Sequence, residues 1–200
     1  MNVIPVTLEL EVGTARLEPL TRAHARDLLD AGSDPEIWRY SLSAQPLTLA
    51  EAESHVDAAL AAPDECPFAI VHRAEGRAIG STRYLDIQPR HRAVEIGSTW
   101  IGARWQRTSI NTECKLLLMR HAFVVLGCVR VQLKADTRNQ RSCAAMERIG
   151  ARYEGTLRKH RILRDGFIRD TAYYSVIAQE WPAVERRLVA RLGDGPGTAG

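Results

Sequence analysis

Hydrophobic and polar residues alternate in several short segments of the chain, and hydrophobic residues recur at helical spacing in others. The alternation predicts strands over residues 3–10, 15–19, 67–72, 77–86, 93–101, 129–135, 153–163 and 167–177. Spacing and capping residues predict helices that begin after Thr21, Thr48 and Asn139, and further helices over residues 112–126 and 181–192. This order predicts a mixed α/β layer with one parallel step, across the helix over residues 112–126.

The segment over residues 98–126 contains the clearest functional pattern. A buried strand runs into a basic, polar loop at residues 104–111, and the loop runs into an amphipathic helix. The free N–H groups of such a loop and the positive end of the helix dipole point at the same place, which favours an anion such as phosphate. Arg104 and Arg107 add formal charge nearby. We therefore expect a phosphate-bearing ligand at this loop and a second substrate positioned against it.

Length and composition fit one domain, which we expect over residues 1–192, followed by a disordered tail over residues 193–200. The net charge is +3, so composition offers no argument for nucleic acid, although basic residues cluster at 104–107 and 158–169. The 4 cysteines stand singly, which is typical of reduced thiols and disfavours a metal site. The sequence shows no signal-like or membrane-spanning apolar run, so we expect a cytoplasmic protein.

Four stretches of the chain, in this order and spacing, resemble the GNAT superfamily of acyl-CoA N-acyltransferases, and more closely its ribosomal-protein-alanine N-acetyltransferase branch. They are ARLEPL at 15–20, NTECKLLL at 111–118, NQRS at 139–142 with ERIGA at 147–151, and GFIRD at 166–170 with the tyrosine pair at 173–174. The resemblance implies an α/β (α+β mixed) fold. Its sheet would be mostly antiparallel, with a central parallel pair (residues 93–101 and 129–135) that splays apart and helices on both faces.

The resemblance also implies acetyl-CoA as co-substrate, with its pantetheine arm between the splayed strands and its pyrophosphate on the loop. The residues that would bind it are Ile101, Ala103, Gln106, Arg107, Thr108, Ser109, Ile110, Asn111, Thr112, Asn139 and Ser142. Ser109 departs from the small Gly or Ala usual in the family and offers a hydroxyl to phosphate. Glu113 is unfavourable beside a diphosphate unless its side chain points sideways.

Acetyl transfer to an amine requires a base, a polarised thioester carbonyl and a proton donor for the leaving thiolate. Glu95, inside an apolar strand, is the first candidate for the base, and a strand residue that faces solvent or pairs with an arginine is the alternative. His91, His121 and His160 are further candidates for the base. The family implies that backbone N–H groups near residues 101–103 polarise the carbonyl.

The family's usual proton donor is a tyrosine, and Met146 stands at its position here. Some relatives use a serine that maps to Ser142, which is otherwise a plain helix-start residue. Tyr173 and Tyr174 are a third option, although alternation sends only one of them toward the site.

The acceptor is expected to be a primary amine, on a protein N-terminus or a small molecule. Trp38, Tyr40, Arg158, His160 and Tyr174 are the candidate acceptor-binding residues, with core packing as the alternative for Trp38. Arg158 and His160 share a face if their strand is regular. An open sheet edge makes a homodimer plausible, and neither nucleic acid nor a membrane is expected as partner.

Two other functions compete with acetyl transfer. A non-catalytic acyl-CoA-binding or sensing protein of the same fold is favoured by the altered loop and the missing tyrosine. A nucleotide-binding enzyme is disfavoured because no Gly-x-x-x-x-Gly-Lys-Ser/Thr motif is present in the sequence. Transfer of an acyl group longer than acetyl is a further alternative, because nothing in the sequence indicates the size of the acyl pocket.

Overall fold

Eight strands form one sheet in the order β1-β2-β3-β4-β5-β6-β8-β7. The structure, a computed structural model, describes residues 3–193 of the chain. The strands are β1 (Leu8–Glu9), β2 (Ala15–Pro19), β3 (Cys66–His72), β4 (Arg77–Gln88), β5 (Ala93–Ile101), β6 (Arg130–Asp136), β7 (Arg152–Ile162) and β8 (Ile168–Ile177). The helices are α1 (Ala25–Ala31), α2 (Leu49–Ala61), α3 (Ile110–Arg120), α4 (Gln140–Ile149) and α5 (Trp181–Gly193).

All neighbouring strands in the sheet are antiparallel except the central pair, β5 and β6, which is parallel. The parallel pairing covers three residue pairs, from Ala93–Arg130 to Glu95–Gln132, and then the two strands diverge. The predicted α/β (α+β mixed) class, with a mostly antiparallel sheet and a splayed central pair, is therefore confirmed.

A β-bulge in β5 lies where the two central strands part. Ser81 of β4 pairs with Trp100, whereas Arg83 pairs with Gly97, so β5 carries one extra residue between these pairs. Ser98 within it has a positive φ of 46°, in the left-handed region. Such a bulge bends its strand and increases the local twist, and here it accompanies the turn of β5 away from β6.

Helices cover both faces of the sheet, as predicted. Side chains alternate along β3: Phe68 and Ile70 join the cluster that contains the buried side chains of α3 and α5. Ala69 and Val71 join the cluster formed by α1 and α2 on the other face. A strand buried on both faces is continuously apolar, which explains the run from Cys66 to Val71.

Local capping signals fix the ends of two helices where the sequence predicts them. At the start of α2 the Glu51 N–H donates to the Thr48 hydroxyl at 3.2 Å, and the Glu51 carboxylate accepts from the Thr48 N–H at 3.3 Å. The Asn139 side chain accepts from the Ser142 N–H at 3.0 Å and caps α4. Gly150 ends α4 with a φ of 99°, which glycine adopts without steric cost.

Other boundaries differ from the prediction. The strand predicted over residues 3–10 shrinks to Leu8–Glu9, because the pairing of Leu8 with Leu17 would bring residue 6 opposite Pro19, which has no N–H to donate. The helix predicted over residues 112–126 begins at Ile110 and changes at His121 into a π-helical turn that ends at Val125. The helix α5 includes Gly193, and the rest of the predicted tail lies outside the described residues.

Three properties of the described chain bear on the predicted setting. Within residues 3–193, no helix is long and apolar enough to span a bilayer. The cysteines Cys66, Cys114 and Cys143 are free thiols. No group of three His, Cys, Asp or Glu side chains in this part of the chain is arranged to hold a metal ion.

Candidate functional site

The divergence of β5 and β6 opens a cleft that consists of two joined cavities. The inner cavity, of about 470 Å³, extends from Glu95 and Lys115 to Arg161 and Arg169. The outer cavity, of about 680 Å³, extends over the loop before α3 and the start of α4. The wall residues common to both include Tyr40, Thr99, Trp100, Asn111, Asn139 and Ser142. The cleft is thus one channel from the loop to the interior of the sheet.

The outer cavity is lined mainly by positive charge. Its arginines are Arg107, Arg138, Arg141, Arg148 and Arg191, and its acidic residues are Asp34 and Glu36. Asn111 and Thr112, in the first turn of α3, also line it, so the positive end of that helix faces the same space. Five arginines against two carboxylates and a helix N-terminus suit a ligand that carries several phosphate charges.

Gln106 joins the two walls of the outer cavity. Its Nε2 donates to the Ile101 carbonyl oxygen at 2.8 Å, and its Oε1 accepts from Arg141 Nη2 at 2.5 Å. Ile101 ends β5 and Arg141 lies on α4, so this side chain spans the mouth of the channel. The Thr108 hydroxyl donates to the Trp105 carbonyl oxygen at 2.7 Å and tightens the same loop.

The side chains of Ser109 and Ile110 do not line either cavity. The Ser109 hydroxyl donates to Glu113 Oε1 at 2.7 Å. Glu113 is 3% exposed, and its Oε2 accepts from the N–H groups of Thr14 and Ala15, each at 2.8 Å. The carboxylate points sideways toward β2, away from the outer cavity. Ile110 is 1% exposed in the core, so its main chain alone is available to a ligand.

The end of β5 offers backbone groups to the cleft. The Gly102 N–H donates to the Ile79 carbonyl oxygen on β4, at 2.8 Å. Because consecutive N–H groups of a strand point to opposite edges, the Ile101 N–H points toward the cleft. The Ala103 side chain is exposed and lies outside the lining of both cavities, so its predicted contribution stays one of the main chain.

Glu95 is buried at the inner end of the channel, with 1% of its surface exposed. Its Oε2 pairs with Lys134 Nζ at 2.8 Å and accepts from Gln132 Nε2 at 3.1 Å. Its Oε1 is enclosed and has no hydrogen-bond partner among the described residues. A buried carboxylate with one unsatisfied oxygen is a site for a cationic or hydrogen-bonding ligand.

Lys115 is a functional candidate that the sequence reasoning missed. Its side chain reaches from α3 into the inner cavity, and its Nζ donates to the Thr99 hydroxyl at 3.2 Å. Burial lowers the pKa of this ammonium to about 8, although the charge of Glu95 opposes that shift. The sequence signal for this residue was a lysine within the apolar segment of a buried helix, because lysine is almost never fully buried unless it is paired.

The start of α4 brings Asn139 and Ser142 to the junction of the two cavities, and Met146 lies one turn further along the inner wall. Tyr174, in contrast, is 4% exposed, and its hydroxyl donates to Glu147 Oε1 at 3.1 Å. Its ring packs against Tyr153, 5.5 Å between centroids. Tyr174 therefore lies outside the cleft, which corrects its predicted role in acceptor binding.

Trp38 and Tyr40 form one wall of the inner cavity. The Trp38 indole N–H donates to the Gly32 carbonyl oxygen at 2.8 Å, and its ring lies 5.2 Å from that of Trp100. Trp38 is thus packed against its neighbours and also lines the cavity.

The predicted pair Arg158 and His160 does not line the cavity, because β7 is irregular there. Leu157 pairs with Thr171 and Arg161 pairs with Arg169, so three residues of β7 face one residue of β8. Lys159 within this bulge has a φ of 50°. The bulge turns Arg158 to solvent and brings Arg161 and Arg169 to the inner cavity.

The three histidines considered as alternative bases also lie away from the cleft lining. His160 packs against Tyr173 at 5.8 Å between ring centroids, and burial lowers its pKa. His121 is in the core, stacked on Tyr84 at 6.3 Å, and His91 is exposed in a turn. Glu95 is the predicted base candidate that the structure brings to the channel.

Comparison with known proteins assigns the chain to a family. Residues 15–152 match the family described as the Acetyltransferase (GNAT) domain. A GCN5-related N-acetyltransferase from Brucella melitensis is 33% identical, with 94% of this chain and 86% of that chain covered and a TM-score of 0.89. The chain therefore belongs to the GNAT acetyltransferase family, and the resemblance inferred from its motifs is confirmed.

Two further relatives bear on the branch within the family. A Bacillus subtilis (strain 168) protein named "Putative ribosomal N-acetyltransferase YdaF" is 32% identical over 107 residues, which are 54% of this chain and 57% of that protein. The chain thus matches little more than half the length of this curated relative. RimJ of Mycobacterium smegmatis, determined in complex with CoA-disulfide, shows the same fold with 21% identity and a TM-score of 0.79 over 94% of this chain and 95% of that chain. The match to YdaF agrees with the ribosomal-protein branch that the motifs resemble.

Proposed function

We propose that this protein transfers an acetyl group from acetyl-CoA to a primary amine, by direct transfer within a single acetyltransferase domain over residues 1–192. The observation that carries the proposal is the channel itself. One end of it is lined by five arginines, and the other ends at the buried Glu95 carboxylate, whose Oε1 has no partner among the described residues. Membership of the GNAT family supports the same chemistry.

The outer cavity fits the phosphate groups of acetyl-CoA. Arg107, Arg141 and the first turn of α3 present positive charge on both sides of it. The open edge of β5 between Glu95 and Ile101 leaves the N–H of Ile101 for an amide-bearing, extended arm. RimJ, which has this fold, was determined with a CoA derivative, in agreement with the assignment.

Glu95 is proposed to receive the proton of the acceptor amine, directly or through water. Lys134 and Gln132 hold its Oε2, and the incoming ammonium group would supply the donor that the enclosed Oε1 lacks among the described residues. Ser142, at the junction of the two cavities, is the proposed proton donor to the leaving thiolate, because Met146 has no proton to give. Trp38 and Tyr40 would bound the acceptor.

The acceptor is proposed to be a protein N-terminus or a small-molecule amine, and the name of the relative YdaF favours the first. The cytoplasm is the proposed location, since the free thiols of Cys66, Cys114 and Cys143 suit a reducing compartment.

A calorimetric titration with acetyl-CoA tests the proposed cofactor site. Thr112→Glu puts a carboxylate into the outer cavity, so we expect at least about a tenfold loss of affinity. Thr156→Glu, the same change on the exposed face of β7, is the matched control and should bind as the parent protein does. Equal affinity in both variants would show that the diphosphate binds elsewhere.

Release of the CoA thiol in the presence of a panel of primary amines tests the proposed reaction. Glu95→Gln keeps the size of the side chain and removes its charge, so we expect kcat to fall about 100-fold or more while acetyl-CoA still binds. Binding of acetyl-CoA without turnover of any amine would favour the non-catalytic alternative instead.

A homodimer through β7 is also proposed. This strand is an edge of the sheet, and it exposes Tyr153 by 56%, Leu157 by 48% and Ile162 by 69%. Unpaired edges with apolar side chains pair readily with a second copy. Light scattering should show a dimer that Leu157→Lys weakens and that Leu60→Lys, an equally exposed change on α2, leaves intact. A monomer at micromolar concentration would contradict this.

A further inference from the structure

Arg169 is a buried cation without an anionic partner. Its side chain is 6% exposed, its Nε donates to the Thr171 hydroxyl at 3.1 Å, and its Nη1 lies 3.5 Å from the Tyr40 carbonyl oxygen. Across the described residues, no carboxylate oxygen lies within 4.0 Å of this guanidinium. Burial of an unpaired charge is unfavourable, so the position of Arg169 on the wall of the inner cavity calls for a ligand.

Asp136 is an acid in the neighbourhood of Arg169, but Arg138 already occupies its carboxylate. Arg138 donates to it from Nε at 3.0 Å, from Nη2 at 2.7 Å and from its backbone N–H at 2.9 Å. Asp136 therefore attracts Arg169 from a distance without forming an ion pair with it. The Nη2 group of Arg169 makes no hydrogen bond with any residue in the described part of the chain.

Arg161 lies directly opposite Arg169 in the pairing of β7 and β8, and both line the inner cavity. Directly opposed residues project from the same face with Cβ atoms about 5 Å apart, so two like charges there repel each other. The Arg161 side chain has no hydrogen bond or ion pair with a residue between 3 and 193. A carboxylate between the two guanidinium groups would relieve the repulsion, since its two oxygens can accept from both.

At Glu95 the same cavity needs a hydrogen-bond donor or a cation, because the enclosed Oε1 has no partner among the described residues. We propose that the acceptor is a primary amine that carries a carboxylate a few atoms away, with its amine at Glu95 and its carboxylate at Arg161 and Arg169. This inference rests on the proposed acetyl transfer and adds the class of acceptor. The carboxylate can come from a free amino acid, or from an acidic side chain next to the amine of a peptide.

Two matched pairs of acceptors test the inference and separate these sources. Alanine and alaninamide differ in the carboxylate on the amine-bearing carbon, whereas Ala-Glu-amide and Ala-Gln-amide differ in the side chain of the next residue. In the intact protein we expect kcat/KM for the carboxylate member of one pair to exceed that for its amide by about 10- to 100-fold, the range for a hydrogen-bonded ion pair. The pair in which the carboxylate member is preferred shows whether the carboxylate comes from a free amino acid or from an acidic side chain of a peptide.

The variant Arg161→Met should abolish that preference, because kcat/KM for each carboxylate acceptor should fall to that of its amide counterpart. Arg158→Met, an exposed change on the same strand, is the control and should keep the preference. Arg169→Met should act as Arg161→Met does, and Arg161 is the safer test because it is exposed and its loss leaves no cavity.

Binding of unreactive products gives a second readout that does not depend on turnover. Trp38 and Trp100 line the inner cavity, so their fluorescence should report N-acetylalanine, or N-acetyl-Ala-Glu-amide, more strongly than the neutral counterpart. Equal kcat/KM and equal binding for the charged and neutral members of both pairs would overturn the inference and leave acetyl transfer standing. Absence of turnover with every acceptor, together with absence of product binding, would overturn both proposals.

Discussion

Replacement of Glu113 by alanine tests whether the loop that faces the outer cavity depends on one buried carboxylate. Glu113 accepts three hydrogen bonds, from the Ser109 hydroxyl and from the N–H groups of Thr14 and Ala15. Ser109 is the residue that caps α3, and Thr14 leads into β2. The carboxylate thus joins the start of the helix to a strand almost 100 residues away in the chain.

The expected loss of stability follows from the two amides that the substitution leaves without an acceptor. A buried donor without a partner costs about 1–3 kcal/mol, and a hydrogen bond to a charged group contributes about 1.5–3 kcal/mol. Thr14 is partly buried, so water can replace some of its bond. We expect Glu113→Ala to lower the free energy of unfolding by about 3–5 kcal/mol. At about 2–4 °C per kcal/mol for a chain of this length, Tm falls by about 6–20 °C.

Urea unfolding of Glu113→Ala, Ser109→Ala and the double variant gives the measurement. Ser109→Ala alone should cost about 1 kcal/mol, and much less once Glu113 is absent, because the two side chains share one bond. Glu185→Ala removes the half-exposed pair with Arg120 and is the control, with an expected loss of about 1 kcal/mol or less. Additive losses, or a Glu113→Ala variant as stable as the control, would refute the reasoning.

Three further predictions concern other parts of the site. Burial lowers the pKa of Lys115 from 10.5 to about 8, so the cost of burying its charge is fully present below pH 8 and disappears as the pH rises toward 10.5. Lys115→Met should therefore stabilise the protein by about 2 kcal/mol at pH 7 in urea unfolding, and by less at pH 9.5; an equal effect at both would contradict the assigned burial. A Cβ on Gly80 would overlap the Trp100 carbonyl oxygen, so Gly80→Ala should lower Tm by about 5 °C or more in a thermal melt. Gly193→Ala, where the added Cβ would meet no atom within 4 Å, is the control and should change Tm little. Ser142→Ala should lower kcat about 100-fold with little change in KM for acetyl-CoA, and an unchanged kcat would exclude the proposed proton donor.

Elements whose signals are local in sequence could be predicted. The ends of α4 depend on Asn139 and Gly150, which act on their own helix, and the capping box of α2 lies within four residues. The first strand could not be placed, because its length depends on pairing with β2, where Pro19 interrupts the donors.

The sequence predicts which residues surround the channel better than it predicts the directions of their side chains. The loop before α3 and the buried Glu95 follow from patterns in the sequence, but Ser109 turns to Glu113 because a distant strand supplies that carboxylate with two more donors. A regular alternation selects Arg158 and His160, whereas the bulge at Lys159 brings Arg161 to the cavity. Such a bulge arises from the pairing of two strands, and alternation counted along one strand does not reveal it.

The short pairing between β5 and β6 has a mechanical consequence. Three residue pairs connect a group of five strands to a group of three, so few main-chain hydrogen bonds join the two groups along this line. Arg107 and Thr112 come directly after β5, which belongs to the larger group. Arg141 on α4 and Arg169 on β8 belong to the smaller group. A ligand bound by residues of both groups would connect the groups across this line. The sheet should therefore be least flexible when the channel is occupied.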